Sequence, residues 1–279
     1  MTAVRVLRAG PLTTFQDLGR QGYAHLGVPP SGAVDPDALR LGNRLLGNPP
    51  GTAALEATLV GPRLRFDEAA LVALTGAETR RGVNVTVSLE AGDELDVGSC
   101  LAGARAYVCV RGGFRAPAVL GSGSTDLLTG LGPPPLRDGD VLEIGSAPAE
   151  PPPSPSMPAT PEAPTSPGFR LLLGPRDDRL TPDGVNALFA TRWTVTSSAN
   201  RVGVRLDGPP LARARDDELL SEGIVTGAVQ LPPSGKPILL LTDHPTTGGY
   251  PVVGVVDERD LGRAGQLRPG DAVRFIRQA

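Results

Sequence analysis

The stretch LEAGDELDVG, from Leu89 to Gly98, places Gly-Asp between two short segments in which apolar and polar residues alternate. Alternation of this kind is typical of strands with one buried face, and Gly and Asp are common turn residues. Together with the preceding VNVTVS, the stretch predicts a β-hairpin whose turn lies at Gly92 and Asp93.

The same phrase, L-x-x-G-D followed by a strand-like segment, occurs twice more: LRDGDVLEIG begins at Leu136 and LRPGDAVRFI begins at Leu267. The irregular spacing of the copies does not indicate a solenoid. Because the copies occur in both halves of the chain, we expect both halves to use one type of corner that closes a barrel.

Helical patterns are sparse. AVDPDALRLGNRLLGN predicts a helix with Asp35 as its N-cap, Pro36 at its first position and Gly47-Asn48 as its stop. Its leucines at positions 39, 41, 45 and 46 are expected to be buried. A second short helix is predicted in TPDGVNALFAT, where Thr181 precedes proline. The 30 prolines and 36 glycines fit many short strands and turns. The sequence therefore predicts a mostly β protein with β-barrels.

The length of 279 residues favours two domains. The Pro-, Ser- and Ala-rich stretch from Gly145 to Gly168 cannot bury a core and predicts an extended, solvated linker. We therefore predict an N-terminal β-rich domain at 1–146, a Pro-rich linker at 147–168 and a C-terminal β-barrel domain at 169–279.

The charge balance is nearly even, with 27 basic and 30 acidic residues and a pI of about 5.5. It suggests no nucleic-acid or anionic-membrane surface. Apolar runs are too short to span a membrane, and the first residues lack a signal-peptide core. The sequence predicts a soluble cytoplasmic protein, in which Cys100 and Cys109 are buried free thiols rather than a disulfide.

The usual catalytic signatures are missing from the sequence. There is no phosphate loop and no G-x-S-x-G elbow, and the only histidines are His25 and His244, so no metal site is predicted. Lys236 is the only lysine; it either supplies an ammonium group to a site or belongs to a turn. GSGSTD, from Gly121 to Asp126, either presents N–H groups to an anion or is a plain connection.

Four stretches combine polar residues with glycine beside predicted strands: TTFQDLGRQGYAHLGVPPSGAVD from Thr13, SSANRVGVRLDG from Ser197, SEGIVTGAVQLPP from Ser221 and LLLTDHPTTGGYP from Leu239. Each would place polar groups at strand ends, where a rigid barrel can direct them into a common cleft. Each alone also has the composition of an ordinary turn.

Together and in this order, these stretches resemble the carboxyltransferase family known as allophanate hydrolase subunit 2, which includes the C-type subunit of the prokaryotic ATP-dependent 5-oxoprolinase. NRLLGNPPGTAALEATLVGP, LTGA, RGGF, GSGSTD and RPGDAVRF extend the resemblance over nearly the whole chain. The resemblance implies two cyclophilin-like β-barrel domains. It also implies a subunit-1 type carboxyltransferase partner, a lactam-utilisation-type third subunit and a reaction that opens 5-oxoproline to L-glutamate with ATP.

The resemblance also implies site residues. The substrate-binding positions are Arg20, Ser31, Asp35, Gln230, Thr246, Thr247, Gly248, Gly249 and Tyr250, and the same motifs include Asp17, Ser221 and Glu222. Developing negative charge requires a cation and N–H donors, and proton transfer requires a carboxylate. Arg201 is therefore the predicted cation, the amides around Gly248-Gly249 the oxyanion donors and Asp243 the proton carrier. Many relatives have glutamine where this chain has Pro245, so an amide that could hydrogen-bond a substrate is missing here.

Three functions remain open at this stage. The first is a 5-oxoprolinase subunit that is inactive alone and works with ATP and Mg²⁺ in a complex. The second is a carboxyltransferase half that acts on urea or a similar amide. It would need biotin on another chain, because the usual Met-Lys-Met carrier motif is absent and Met1 and Met157 are the only methionines. The third is a non-enzymatic binding module, since some members of this family antagonise a kinase inhibitor.

Overall fold

The computed structural model describes residues 3–152, 168–215 and 217–278. Most of the predicted Pro-rich linker, 147–168, lies outside the described residues, so its extended character stays a prediction. The described residues form two compact units. One comprises 3–20 and 31–152, and the other comprises 21–30 and 168–278. The short segment 21–30 therefore groups with the second unit, although it lies far from it in sequence.

The first unit contains nine strands and one α-helix among its described residues. The strands are β1 (Ala3–Arg8), β2 (Thr13–Gln16), β3 (Ala54–Thr58), β4 (Arg63–Phe66), β5 (Ala70–Thr79), β6 (Val85–Leu89), β7 (Glu94–Asp96), β8 (Cys100–Val110) and β9 (Val141–Glu143). The helix is α1 (Pro36–Leu45).

The second unit contains nine strands and two α-helices among its described residues. The strands are β10 (Gly168–Leu173), β11 (Trp193–Val195), β12 (Gly203–Asp207), β13 (Glu222–Gly223), β14 (Ala228–Gln230), β15 (Ile238–Leu240), β16 (Thr247–Gly248), β17 (Val252–Val256) and β18 (Ala272–Arg277). The helices are α2 (Pro182–Ala190) and α3 (Glu258–Gly265), and short 3₁₀ turns span Ala24–Leu26 and Asp177–Arg179.

The second unit is built on a closed barrel with the strand order β10-β17-β14-β15-β12-β11-β18. All neighbours are antiparallel except β10 and β18, whose parallel pairing closes the barrel. Its core includes Phe169, Trp193, Leu239 and Phe275, each at most 2% exposed. The predicted C-terminal barrel is therefore confirmed as a seven-stranded barrel.

The first unit contains two sheets, with the orders β7-β4-β1-β9 and β2-β3-β8-β5-β6. Alternate residues of β5 and β8 face different layers: Val72 and Val108 pack in the core shared with β1 and β4, whereas Ala73 and Cys109 pack with residues of α1. The described strands thus form a sheet–sheet–helix stack, and the prediction of a second barrel is not confirmed. Alternation in sequence predicts the buried faces, but not whether the sheet edges meet.

The three L-x-x-G-D phrases form one type of turn. In each, the aspartate N–H donates to a carbonyl three residues earlier, and the aspartate carboxylate accepts from the N–H of that earlier residue at 2.8 Å. The pairs are Glu90 with Asp93, Arg137 with Asp140 and Arg268 with Asp271. The glycine before each aspartate has φ of 90–92°, as the third position of a type II turn requires.

Each turn also docks on a neighbouring strand in the same way. Its glycine N–H and aspartate carbonyl bond to one residue of that strand, at 2.7–3.0 Å. The three receiving residues are Phe66 in β4, Val6 in β1 and Val195 in β11. The same corner is present in both halves, as expected, but among the described residues it belongs to a closed barrel only in the second unit. The hairpin prediction is wrong, because β6 pairs with β5 whereas β7 pairs with β4. The turn at Gly92 instead carries the chain from one sheet to the other.

Both predicted helices are present with their predicted caps. The Asp35 carboxylate accepts from the Ala38 N–H at 3.0 Å, and the Thr181 hydroxyl accepts from the Gly184 N–H at 3.0 Å. Of the four predicted core leucines of the first helix, Leu39 and Leu46 are buried, and the other two are half-buried. Helix α3 was not predicted, although Asp257 before ERDLGRAG is an N-cap signal. None of the described helices is long and apolar enough to cross a membrane.

Candidate functional site

The GSGSTD loop of the first unit is held by Asp17. One Asp17 carboxylate oxygen accepts from the Ser122 and Ser124 hydroxyls at 2.6 Å and from the Gly19 N–H at 2.7 Å, and the other accepts from the Gly123 N–H at 2.7 Å. Both oxygens are therefore engaged inside the protein. Asp17 and Gly123 also line an open cleft of about 900 Å³ in this unit.

Arg20 lies beneath the same loop and is only 2% exposed. Its guanidinium donates to the carbonyl oxygens of Val119 and Ser124. Its Nη1 atom is buried and has no hydrogen-bond partner among the described residues. The guanidinium is therefore a buried cation that bonds to neutral carbonyl groups.

Ser31 and Asp35 bond to different parts of the first unit. Ser31 has φ of 53°, an uncommon backbone conformation for serine, and its hydroxyl donates to the Thr125 carbonyl at 3.3 Å. The Asp35 N–H donates to the Tyr107 hydroxyl at 2.8 Å, and that hydroxyl donates to Glu56 at 2.7 Å. Burial, with the Glu56 charge as a further cause, raises the pKa of Tyr107 well above its usual value. This geometry gives Asp35 a structural role as the cap of α1.

Arg201 and Asp243 form a buried ion pair in the second unit. Arg201 Nε and Nη2 donate to the two carboxylate oxygens at 2.8 and 2.9 Å, and the side chains are 1% and 0% exposed. Arg201 precedes β12 and Asp243 follows β15, so the pair joins the ends of two neighbouring barrel strands. A bidentate pair of this kind is strong and fixes orientation. Its burial favours a positioning role for both residues over direct contact with substrate.

His244 is buried beside this pair. Its Nδ1 lies 2.8 Å from the Pro245 carbonyl oxygen, and its Nε2 lies 3.2 Å from the Thr226 hydroxyl. A carbonyl oxygen only accepts, so Nδ1 carries the proton and Nε2 accepts from the hydroxyl. Burial lowers the pKa of His244, against smaller raising effects from the Pro245 carbonyl and the Asp243 charge.

The remaining predicted residues of the second unit lie around the pairing of β13 with β16. Glu222 pairs with Gly248 in this two-stranded sheet, and a Cβ on Gly248 would lie 3.0 Å from Gln230 Nε2. Thr247, Gly249 and Tyr250 are exposed, with Tyr250 at 46%. Ser221 is exposed, and Thr246 is half-buried. We call Gln230 and residues 246–250 the polar rim.

Arg176 was not predicted and pairs with Glu222 through two hydrogen bonds. The Arg176 hydrogen bond lowers the pKa of Glu222. Arg176 lies 46 residues from Glu222, and no local pattern indicates this partner. Thr226, the partner of His244, was also missed, although it lies inside the quoted stretch SEGIVTGAVQLPP.

The structure thus gathers the predicted residues into separate groups. Arg20 and Ser31 contact the backbone at 124–125, Arg201 and Asp243 pair with each other, and Gln230 adjoins Gly248 in the rim. The described residues contain no cluster of three or more His, Cys, Asp or Glu that could hold a metal ion.

Two sequence alternatives are resolved. Lys236 directly follows the turn at 232–235 and pairs with Asp207 at 2.6 Å on the surface, which supports the turn interpretation. Cys100 and Cys109 are buried free thiols, as predicted. Burial raises the pKa of the Cys109 thiol to about 12, so it is unreactive at neutral pH.

Both the sequence and the fold are similar to those of known carboxyltransferase proteins. A family model described as carboxyltransferase domain, subdomain A and B, matches residues 26–277. The C-type subunit of the 5-oxoprolinase of Escherichia coli is 36% identical over 98% of this chain and 90% of its own length. Urea amidolyase of Lachancea kluyveri is 33% identical, but this chain covers 17% of it. The crystal structure of Kluyveromyces lactis urea amidolyase superposes with a TM-score of 0.90 at 33% identity, over 99% of this chain and 19% of that one.

Proposed function

The chain belongs to the carboxyltransferase domain family, subdomain A and B, and from this membership we propose that it is a subunit of an ATP-dependent 5-oxoprolinase. The observation that supports this function is the 36% identity to the C-type subunit of a 5-oxoprolinase over 90% of that subunit's length. The match therefore extends over most of a separate subunit of a hydrolase, whereas the urea amidolyase relatives are several times longer.

The proposed reaction opens the lactam of 5-oxoproline to L-glutamate and hydrolyses ATP. Ring opening alone is unfavourable because the amide loses its resonance, so ATP hydrolysis must be coupled to it. Transfer of the γ-phosphoryl group of ATP to the amide oxygen, with ADP leaving, would make the carbonyl carbon a better electrophile. Water would then add to that carbon and the ring C–N bond would break, which gives an acyl phosphate that a second water hydrolyses to L-glutamate and phosphate. Such a step requires donors for the developing negative charge.

In this reaction the polar rim presents the groups that can reach a substrate. Thr247 and Tyr250 are exposed and offer side-chain donors, whereas Gln230 is buried beside Gly248. The buried Arg201–Asp243 pair holds the strand ends from which the rim begins. In this proposal Arg201 and Asp243 support turnover by holding the rim in position. The sequence alone had suggested that they act directly on the substrate, as a cation and a proton carrier.

The active unit in this proposal is a cytoplasmic complex. Its other members are a subunit-1 type carboxyltransferase and a lactam-utilisation-type third subunit, and ATP with Mg²⁺ is bound by the assembly. The Escherichia coli relative is named as one subunit of a 5-oxoprolinase, which supports the need for partners. A pocket shared between chains is a common site for small ligands.

An ATPase assay tests the proposal. We expect the purified chain to show no 5-oxoproline-dependent ATP hydrolysis, and the mixture with its cognate subunits to release phosphate and L-glutamate together. Arg201→Ala and Asp243→Asn should lower turnover in the assembled complex, and Lys236→Ala, which removes a surface ion pair, is the control. Turnover by the isolated chain would contradict the need for partners, and a reconstituted complex without turnover would contradict the function.

A carboxyltransferase acting on urea or a similar amide is the second candidate. The TM-score of 0.90 with a urea amidolyase favours it. This function needs carboxybiotin carried by another chain. Addition of a biotin carboxylase with its carrier, ATP, bicarbonate and urea separates the two candidates. Urea-dependent consumption of carboxybiotin favours the second, and 5-oxoproline-dependent release of glutamate favours the first.

A further inference from the structure

Strand β6 is an open edge of the first unit. The five-stranded sheet has the order β2-β3-β8-β5-β6, and no described strand pairs with the other side of β6. The opposite edge of the sheet is covered, because the N–H groups of Thr125 and Leu136 donate to carbonyl oxygens of β2. An edge strand presents N–H and C=O groups that can pair with another strand. The sheet can therefore be extended at β6.

The backbone groups that β6 presents follow from the pairing of β5. The Arg111 N–H donates to the Leu71 carbonyl, so the backbone groups of Leu71 point towards β8. Alternate residues of an antiparallel strand bond to opposite neighbours, so the even-numbered residues at 70–74 bond to β6. Their register partners are the odd-numbered residues at 85–89. The even-numbered residues of β6 therefore point their N–H and C=O groups away from β5.

These outward residues are Thr86 and Ser88, and both are exposed. Edge strands are often protected by proline, lysine or an inward-pointing charge, whereas 85–89 contains no proline and no charged residue. The adjoining positions cannot extend the edge: Asn84 has φ of 56°, and the N–H and carbonyl of Glu90 both bond within the following turn. The open edge thus consists of two residues, each with one donor and one acceptor.

We propose that two copies of this chain pair antiparallel through β6, with a two-fold axis at Val87. Thr86 of each copy then lies opposite Ser88 of the other, and the outward backbone groups of both residues are paired. A register centred on Thr86 or Ser88 would instead require Asn84 or Glu90, whose backbone is left-handed or already bonded. This pairing joins the two sheets into one, and it does not depend on the proposed function.

The charges at the two ends of β6 favour the antiparallel direction. Arg80 and Arg81 precede the strand, Glu90 and Asp93 follow it, and all four are exposed. Arg80 and Glu90 form no ion pair with another described residue of the same chain. Antiparallel pairing brings the basic end of each copy to the acidic end of the other, whereas parallel pairing would bring like charges together.

Apolar side chains of the edge also lose exposure in this dimer. Val85 and Val87 are half-buried and pack against the core of the first unit. Because the backbone groups of Val87 bond to β5, Val87 faces its own copy as a non-hydrogen-bonded pair, in which side chains lie closest. A contact between two short strands is small, so we expect the dimer to be weak and to depend on concentration.

Disulfide trapping in the full chain tests the position of the axis. Val87→Cys places two thiols across the axis at a Cα separation of about 4.5 Å, which a disulfide spans. We expect a covalent dimer on non-reducing electrophoresis after incubation with oxidised glutathione. Val85→Cys is the matched control, because residue 85 lies opposite Leu89 and about 13 Å from its own copy. Cys100 and Cys109 are buried and do not compete.

Sedimentation velocity over about three decades of concentration measures the dimer without a cross-link. We expect a shift from monomer to dimer and no further, because pairing uses the open edge. Thr86→Pro should abolish the shift, since it removes an N–H that bonds to the other copy and none that bonds to β5. Thr86→Val keeps this N–H and the branched shape, and it should dimerise like the wild type. Should Thr86→Pro fail to fold, the charge variants below replace it.

Charge reversal at low salt tests the antiparallel direction. Glu90→Arg and Arg80→Glu should each weaken the dimer several-fold, the range for exposed charge pairs, and the double variant should recover the wild-type affinity. A double variant weaker than either single one contradicts the direction.

Three results would overturn the pairing itself: a monomer at every concentration, equal cross-linking of Val85→Cys and Val87→Cys, or a dimer that persists in folded Thr86→Pro. Cross-linking of Val87→Cys only to a cysteine of a cognate subunit would also overturn it, and would assign the edge to that subunit.

Discussion

At the scale of single residues, buried polar side chains of this protein join separate elements through hydrogen bonds to specific partners. Tyr107 links the first turn of α1 to Glu56, since its hydroxyl accepts from the Asp35 N–H and donates to the Glu56 carboxylate. Tyr107 is fully buried, so no water can replace its hydroxyl. The Tyr107 hydroxyl oxygen therefore bridges the helix cap and the sheet.

Tyr107→Phe should lower the free energy of unfolding by about 1–3 kcal/mol, because it leaves a buried N–H and a carboxylate oxygen without this partner. Urea denaturation followed by circular dichroism measures the change. Tyr250→Phe is the control, since Tyr250 is 46% exposed and should change stability little. A Tyr107→Phe protein as stable as the wild type would show that the hydroxyl is dispensable.

His244 should make the stability of the protein depend on pH. Its folded-state pKa is lowered below the ordinary value of 6.5, so the unfolded state takes up the proton first as pH falls. The stabilisation is present above pH 6.5 and is lost as pH falls below it. His244→Gln should reduce the slope of stability against pH, which urea midpoints below pH 6.5 measure. His25→Gln, at an exposed position, should leave that slope unchanged. Equal slopes in both variants would contradict the assignment.

At the scale of elements, the three L-x-x-G-D turns depend on a glycine with positive φ. A Cβ on Gly92, Gly139 or Gly270 would meet no atom within 4 Å, so alanine there is disfavoured by the backbone alone. Each substitution should cost about 1–2 kcal/mol, the cost of placing an L-residue in a left-handed conformation. Thermal unfolding of the three alanine variants measures it. Gly223→Ala is the matched control, because that site is open and lacks positive φ. Markedly different costs at the three turns would contradict a shared geometry.

These turns also show which elements a sequence can predict. The turn and both helix caps are set by residues within four positions of one another, so the pattern L-x-x-G-D and the cap residues identify them. Strand partners depend on distant residues: β6 and β7 flank one turn but pair in different sheets. Arg201 and Asp243 were both singled out, yet their pairing joins residues 42 positions apart, and no local pattern indicates it.

At the scale of the whole molecule, the chain is divided into two units with different architectures. The sequence predicted β-structure on both sides of the Pro-rich stretch, and the composition of that stretch predicts an extended linker. Limited proteolysis should therefore cut first between residues 147 and 167 and leave two resistant fragments, identified by mass spectrometry. First cleavage within 83–95 would instead indicate that the corner between β6 and β7 is the weaker point.

The parallel pairing of β10 with β18 also sets the order of events during synthesis. The first strand of the barrel, β10, can pair with the last, β18, only after β18 has been synthesised, because Phe169 pairs with Phe275 across more than 100 residues of chain. Long-range pairing of this kind slows folding. A ribosome that has translated only as far as α3 therefore carries a second unit whose seam is still open. Stalling there would expose the unpaired edge of β10, so we expect nascent chains truncated before Ala272 to be recognised by chaperones while their first unit is already folded.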